Sequence, residues 1–270
     1  DPNNLPLEKV LGEQNNSQVR VPFDKRKQSK DLSIQLPRTD KKVGEIHYHT
    51  YEAVGYEGTL NDTPAIAVYT PYGYNANRKE PYKVLYLSHG AGVESEMSWW
   101  NKGSVGNMMD NLIADYDVEP FVLVLINNYA VDFDVENLTN NIVPLVEANY
   151  NVRTDRMGKA VAGLSAGGRF TQGQMLSHPD QFGYYGLFSG GFFDDASMEG
   201  VTFDAEALKD AHIYLAAGSK EFGLLAIQRT SEVLNASGVS GYHSYVVTGG
   251  HDWNVWRQIY VDYVLNELFK

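Results

Sequence analysis

Residues 159–168 read Lys-Ala-Val-Ala-Gly-Leu-Ser-Ala-Gly-Gly, a short apolar run closing in a Gly-x-Ser-x-Gly pentapeptide centred on Ser165. A run of this length reads as a buried strand, and Arg169 to Leu176 behind it is compatible with a helix. A strand that turns sharply into a helix, with small residues on both sides of a serine, has the pattern of a nucleophile elbow, because bulky neighbours would block the turn. Glycine and serine are common in loops, so the pentapeptide alone says little; its position between strand and helix gives it weight. Ser165 is the candidate nucleophile.

Working outward, strand and helix signals alternate. On the amino side, Val43 to Tyr51 and Ala65 to Thr70 read as antiparallel edge strands, separated by the turn residues Gly55, Gly58, Asn61 and Asp62. Then follow a strand at Lys83 to Leu87, a helix at Gly103 to Tyr116, a strand at Phe121 to Ile126, and a helix at Asn140 to Asn149 with Pro144 near its first turn. Beyond Ser165 come strands at Tyr184 to Phe188, His212 to Ala216 and Tyr242 to Val247, and helices at Leu224 to Leu234 and Trp253 to Leu268. Alternation at these lengths implies right-handed crossovers and an α/β fold: a mostly parallel central sheet, antiparallel N-terminal strands, and helices on both faces. Ligands in such folds bind beyond the carboxyl ends of the strands.

Residues 1–40 are polar and carry Pro2, Pro6, Pro22 and Pro37, with little periodicity, and read as an N-terminal extension or linker. Residues 41–270 read as one catalytic domain, since neither a repeat nor a low-complexity tract divides them. A net charge of −12 without a basic stretch argues against nucleic acid and anionic membrane surfaces as partners. The chain has no cysteine, which excludes disulfides, thiolate metal sites and a cysteine nucleophile. No apolar stretch approaches the roughly 20 residues that span a bilayer. The chain starts Asp-Pro-Asn-Asn without a signal-peptide pattern, which suits a mature product or an excised module. No ligand cluster suggests a metal, and no cofactor is expected.

A serine hydroxyl needs a general base, and the base needs an acid to hold its useful tautomer. His251, in Thr-Gly-Gly-His-Asp-Trp between the last strand and the last helix, is the candidate base. His47, His49, His89, His178, His212 and His243 read as surface or packing residues. Glu221, in the loop after His212 to Ala216, is the favoured acid. Asp194 and Asp195 are its rivals, and Asp252 is discounted because neighbouring side chains on one backbone seldom face each other. Oxyanion donors are expected in the N–H of Ala166, just after the nucleophile, and in the Ser88-His89-Gly90-Ala91-Gly92 loop, where Ala91 is the choice.

Taken together, His-Gly-Ala-Gly, Gly-Leu-Ser-Ala-Gly-Gly, Gly-Ser-Lys-Glu and Gly-Gly-His-Asp-Trp-Asn-Val-Trp resemble the feruloyl esterases of carbohydrate esterase family 1. These belong to the esterase D-like group of α/β-hydrolases and often occur as modules of bacterial xylanases. The resemblance runs from about Lys42 to the C-terminus. It implies a secreted, extracellular bacterial serine esterase without a cofactor, which would remove hydroxycinnamoyl groups from feruloylated arabinoxylan of plant cell walls through an acyl-enzyme. It further implies that Ser165 matches the nucleophile, His251 the base, and Ala91 and Ala166 the oxyanion donors. Trp99 and Trp100 resemble an aromatic-bearing segment near the substrate cleft. The acid departs from the pattern, since related domains usually show Asp where this chain has Glu221. An acetyl xylan esterase, a general carboxylesterase, or an inactive carbohydrate-binding homologue are the other readings of the same scaffold.

Overall fold

A computed structural model of the chain describes residues 33–92 and 94–270. Its frame is an eight-stranded sheet in the order β1-β2-β4-β3-β5-β6-β7-β8. The strands are β1 (Glu45–Thr50), β2 (Ala65–Thr70), β3 (Val84–Ser88), β4 (Val122–Ile126), β5 (Lys159–Leu164), β6 (Tyr184–Phe188), β7 (His212–Gly218) and β8 (Tyr242–Val247). β1 and β2 pair antiparallel, as does β2 with β4, and all other pairings are parallel. The antiparallel start and parallel remainder agree with the alternation in the sequence.

Central strands of such a sheet are covered on both faces, which is why they read as unbroken apolar runs. In β3, Val84 and Tyr86 join the core on one face while Leu85 and Leu87 join that on the other. One face carries α1 (Ser98–Asn101), α2 (Val105–Asp115) and α7 (Trp253–Asn266). The other carries α3 (Val135–Asn137), α4 (Val143–Asn149), α5 (Ala166–Ser177) and α6 (Gly223–Ala236). Each fully buried Val or Leu stabilises this sandwich by about 1.5–3 kcal/mol, so two cores on one sheet hold the strand ends firmly.

Two elements differ from expectation. The helix anticipated at Asn140 begins at Val135, and α3 runs through a π turn at Leu138–Ile142 into α4. Pro144 has no N–H to give to the carbonyl four residues back, and the wider π turn just before it takes up that mismatch. The four-residue α1 was not anticipated, because one turn of helix shows no periodicity.

Residues 1–32 of the expected extension lie outside the described residues. Residues 33–40 pack on α2: Asn111 Nδ2 donates to the carbonyls of Ile34 (2.8 Å) and Leu36 (2.9 Å), and Asn107 Nδ2 to that of Gln35 (3.1 Å). Among the described residues, no helix is long and apolar enough to cross a membrane.

Candidate active site

Because β3 and β5 to β8 run parallel, the loops leaving their carboxyl ends emerge along one edge of the sheet. Ser165 sits between β5 and α5 with φ 54° and ψ −116°, a conformation that costs a non-glycine residue about 1–3 kcal/mol. Its surroundings hold it there. Ser165 N–H donates to Phe188 O at 2.8 Å, and Gly163 and Gly167 let strand and helix meet without side chains between them. A Cβ on Gly163 would lie 2.5 Å from the Gly167 backbone, and one on Gly167 would lie 2.4 Å from His89 O.

Ser165 Oγ lies 2.9 Å from His251 Nε2, and His251 Nδ1 is hydrogen-bonded to Glu221 Oε2. The Glu221 side chain is fully buried, and its Oε1 accepts from Gly218 N–H and, at 2.7 Å, from the Ser189 hydroxyl. A buried carboxylate is tolerable only when its oxygens are satisfied, and these have three donors between them. With Nδ1–H donating to the carboxylate, Nε2 is left as the acceptor that faces the serine hydroxyl. The imidazole is also packed between rings: Phe222 at 4.3 Å and Trp256, edge to face, at 4.9 Å between centroids.

The other carboxylates go elsewhere. Asp194 Oδ1 accepts from Ser197 N–H (2.8 Å), Asp195 Oδ1 pairs with Arg229 Nε (2.7 Å), and Asp252 caps α7 through the N–H groups of Asn254 (2.8 Å) and Val255 (3.3 Å).

The loop after β3 passes over the start of α5. A Cβ on Gly90 would lie 3.2 Å from Ser165 Cβ, which brings the loop beside the serine at Gly90; the next residue, Ala91, is exposed. Polar contacts shape this loop: Ser88 Oγ accepts from Asn128 Nδ2 (2.7 Å) and donates to His89 O (3.2 Å), and Trp99 Nε1 donates to Ser88 O (2.9 Å). Ala166 is the first residue of α5, where an amide N–H has no acceptor within the helix. His89 is a buried packing residue with its ring edge to face with Phe133.

Of the expected tryptophan pair, the structure corrects Trp99, whereas Trp100 is half-buried. Trp99 is 1 % exposed, wedged among Phe188, Trp253 and Tyr260, and has no face left for a ligand. Trp100 packs over Gly106 and near Tyr69, against the core under α2. The exposed aromatic beside His251 is Phe222 (56 % exposed), with Phe193 at 5.8 Å between centroids. Reasoning from sequence missed Phe222, although it follows the candidate acid directly; it also missed Ser189, which carried no motif of its own. Among the described residues, no group of three or more His, Cys, Asp or Glu could hold a metal ion.

A strand-elbow-helix serine, a histidine after the last strand and an acid between them in chain order, on this sheet, define an α/β-hydrolase. Residues 58–264 match the family model described as putative esterase, and the chain belongs to that family, among the carboxylic ester hydrolases. It is 32 % identical over 259 residues to an endo-1,4-beta-xylanase/feruloyl esterase of Xylanibacter ruminicola, a match covering 90 % of this chain and 34 % of that one. It is 24 % identical over 217 residues to endo-1,4-beta-xylanase Y of Acetivibrio thermocellus, covering 72 % of this chain and 19 % of that one. The chain thus spans about a third or less of the length of these relatives. Among solved structures, the fold is similar to a mutant feruloyl esterase module from Clostridium thermocellum complexed with sinapinate (TM-score 0.72, 22 % identity, 88 % of this chain and 93 % of that one). A CE1 ferulic acid esterase from the anaerobic fungus Anaeromyces mucronatus is similar to the same degree (TM-score 0.72, 20 % identity, 89 % and 96 %).

Proposed function

We propose that this chain is a serine esterase that hydrolyses feruloyl (hydroxycinnamoyl) esters on arabinoxylan of plant cell walls, acting as an exported bacterial module of a xylan-degrading enzyme. The observation that carries the chemistry is the hydrogen-bonded line from Ser165 Oγ through His251 to the buried Glu221. The substrate class rests on the relatives, whose names join xylanase and feruloyl esterase.

In this reading Ser165 Oγ attacks the ester carbonyl while His251 Nε2 takes the hydroxyl proton, and Glu221 stabilises the imidazolium that forms. The oxyanion receives the N–H groups of Ala166 and Ala91, a donor of this kind contributing about 3 kcal/mol to the transition state. His251 then returns the proton to the departing sugar hydroxyl, leaving Ser165 acylated. Water, deprotonated by the same nitrogen, releases the hydroxycinnamate. The net negative charge of the chain suits a neutral polysaccharide better than a polyanion.

Ferulate release from a feruloylated arabinoxylan oligosaccharide tests this directly. The intact protein should release ferulate, and Ser165→Ala should lower kcat by about 10⁴–10⁶-fold. Release of acetate from acetylated xylan with no ferulate release by folded protein would instead favour the acetyl xylan esterase reading. No acyl release and no serine labelling by a phosphonate would leave a binding homologue.

A further inference from the structure

Glu221 stands where the resemblance implies the shorter aspartate, and the site has to absorb one more methylene. Part of the accommodation lies in its own loop. A Cβ on Gly218 would come within 2.9 Å of Glu221 Oε1, and one on Gly223 within 2.8 Å of Oε2, so glycines on both sides leave room for the carboxylate to curl back. Gly218 N–H then donates to Oε1. Gly218 is the donor that the acid's own loop gives to Oε1, and the second contact to Oε1 comes from the end of another strand.

Ser189 follows β6 and is fully buried, with φ 55°. Its N–H donates to Ala216 O at 2.6 Å, which ties it to β7, the strand that carries the Glu221 loop. Its Oγ lies 2.7 Å from Glu221 Oε1 and 3.0 Å from Trp256 Nε1. An indole N–H can only donate, so it occupies a lone pair of Oγ, and the one hydroxyl proton is left for the carboxylate. The same Trp256 ring packs against His251. Glycine would adopt the left-handed backbone at position 189 without strain, yet the chain places a hydroxyl there.

We propose that Ser189, aimed by Trp256, is a positioning residue that locks the glutamate carboxylate in line with His251 and so fits the longer acid to the site. The inference rests on the reading of Ser165, His251 and Glu221 as a catalytic triad. Ser189 touches no reacting atom; it acts through Glu221.

The test is kcat and KM on an activated aryl ester for the intact chain, Ser165→Ala, Ser189→Gly, Ser189→Ala and Trp256→Phe, with Ser189→Gly repeated in a Glu221→Gln background, where partial triads retain measurable activity. Ser189→Gly removes the hydroxyl and its two hydrogen bonds while relieving the backbone, and in the folded variant kcat should fall about 10- to 100-fold with KM within about twofold. In the Glu221→Gln background the same replacement should change kcat by less than about twofold, since residues that act as a unit are not additive. Trp256→Phe keeps the ring and loses the donor, and should lower kcat by about three- to tenfold because the hydroxyl can then turn away. Ser189→Ala supplies the same readout should the glycine variant fail to fold. A kcat within twofold of the intact chain in the folded Ser189 variants, or an equal loss in both backgrounds, would overturn the inference. Full activity in Ser165→Ala would overturn the triad reading itself, a result the Ser189 variants cannot mimic.

Discussion

Asp110 and Glu221 both hold their carboxylates away from solvent, and of the two only Glu221 sits at the edge where Ser165 lies. Asp110, on α2, is 8 % exposed, and its Oδ1 accepts from Tyr69 OH and Gly44 N–H, both at 2.8 Å. Glu221 has donors from Gly218, Ser189 and His251. Both are satisfied, so burial and hydrogen bonding alone do not tell them apart. The difference lies in what their partners can do next. Tyr69 and Gly44 tie Asp110 to β2 and to the chain entering β1, and the contacts end there. His251 faces the Ser165 hydroxyl, so in the proposed triad the charge of Glu221 acts on a proton that moves. A buried acid marks chemistry when its partner is a base with a further hydroxyl beyond it, and marks architecture when its partners are fixed donors.

Replacing each acid or its partner separates these roles. The largest effect is expected from Glu221→Gln. An amide nitrogen turned toward Nδ1 favours the tautomer with Nε2–H, which cannot accept the Ser165 proton, and kcat should fall by about 10³–10⁴-fold with the thermal midpoint little changed. Esterase assays beside thermal melts read both quantities, and a loss below tenfold would put Glu221 in the same class as Asp110. Next in size, Tyr69→Phe removes a hydrogen bond to a buried charged acceptor and should destabilise the fold by about 1.5–3 kcal/mol in denaturant unfolding, with kcat unchanged. A drop in kcat for this folded variant would break the contrast from the other side.

The smallest effect concerns pH. Burial pushes the Asp110 carboxyl above the usual carboxylate range, against the pull of its two hydrogen bonds. Folded protein therefore binds this proton more tightly than unfolded chain, and the stability contribution of Asp110 falls as pH rises from the unfolded value, about 3.9, through the raised folded one. Asp110→Asn cannot ionise. Its thermal midpoint relative to the intact chain should become more favourable between about pH 4 and pH 7, and a difference that stays flat, or runs the other way, would mean that burial does not govern this group.

How much was legible beforehand differs between residues for physical reasons. Ser165 and His251 announce themselves because their local requirements are written in neighbours: small residues at an elbow, glycines before the histidine. Glu221 was readable as a position in chain order but not as a geometry, since Asp194 and Asp195 occupy an equivalent loop one strand earlier. Trp99 misled because a tryptophan near a predicted loop looks the same whether its ring faces a ligand or the core, and only packing against Phe188, Trp253 and Tyr260 decides. Ser189 left no trace, being an ordinary serine beside a glycine.

By itself the sequence determined the alternation of strands and helices, the parallel sheet with an antiparallel start, and the elbow serine and late histidine, because periodicity, turn chemistry and chain order are local or ordinal properties. Tertiary structure alone decided which acid meets His251, which aromatic ring stands open beside it, and which hydroxyl steadies the carboxylate. These depend on distances between loops of β5, β6, β7 and β8, up to 86 residues apart in the chain, that exist only once two apolar cores have clamped the strands into one register.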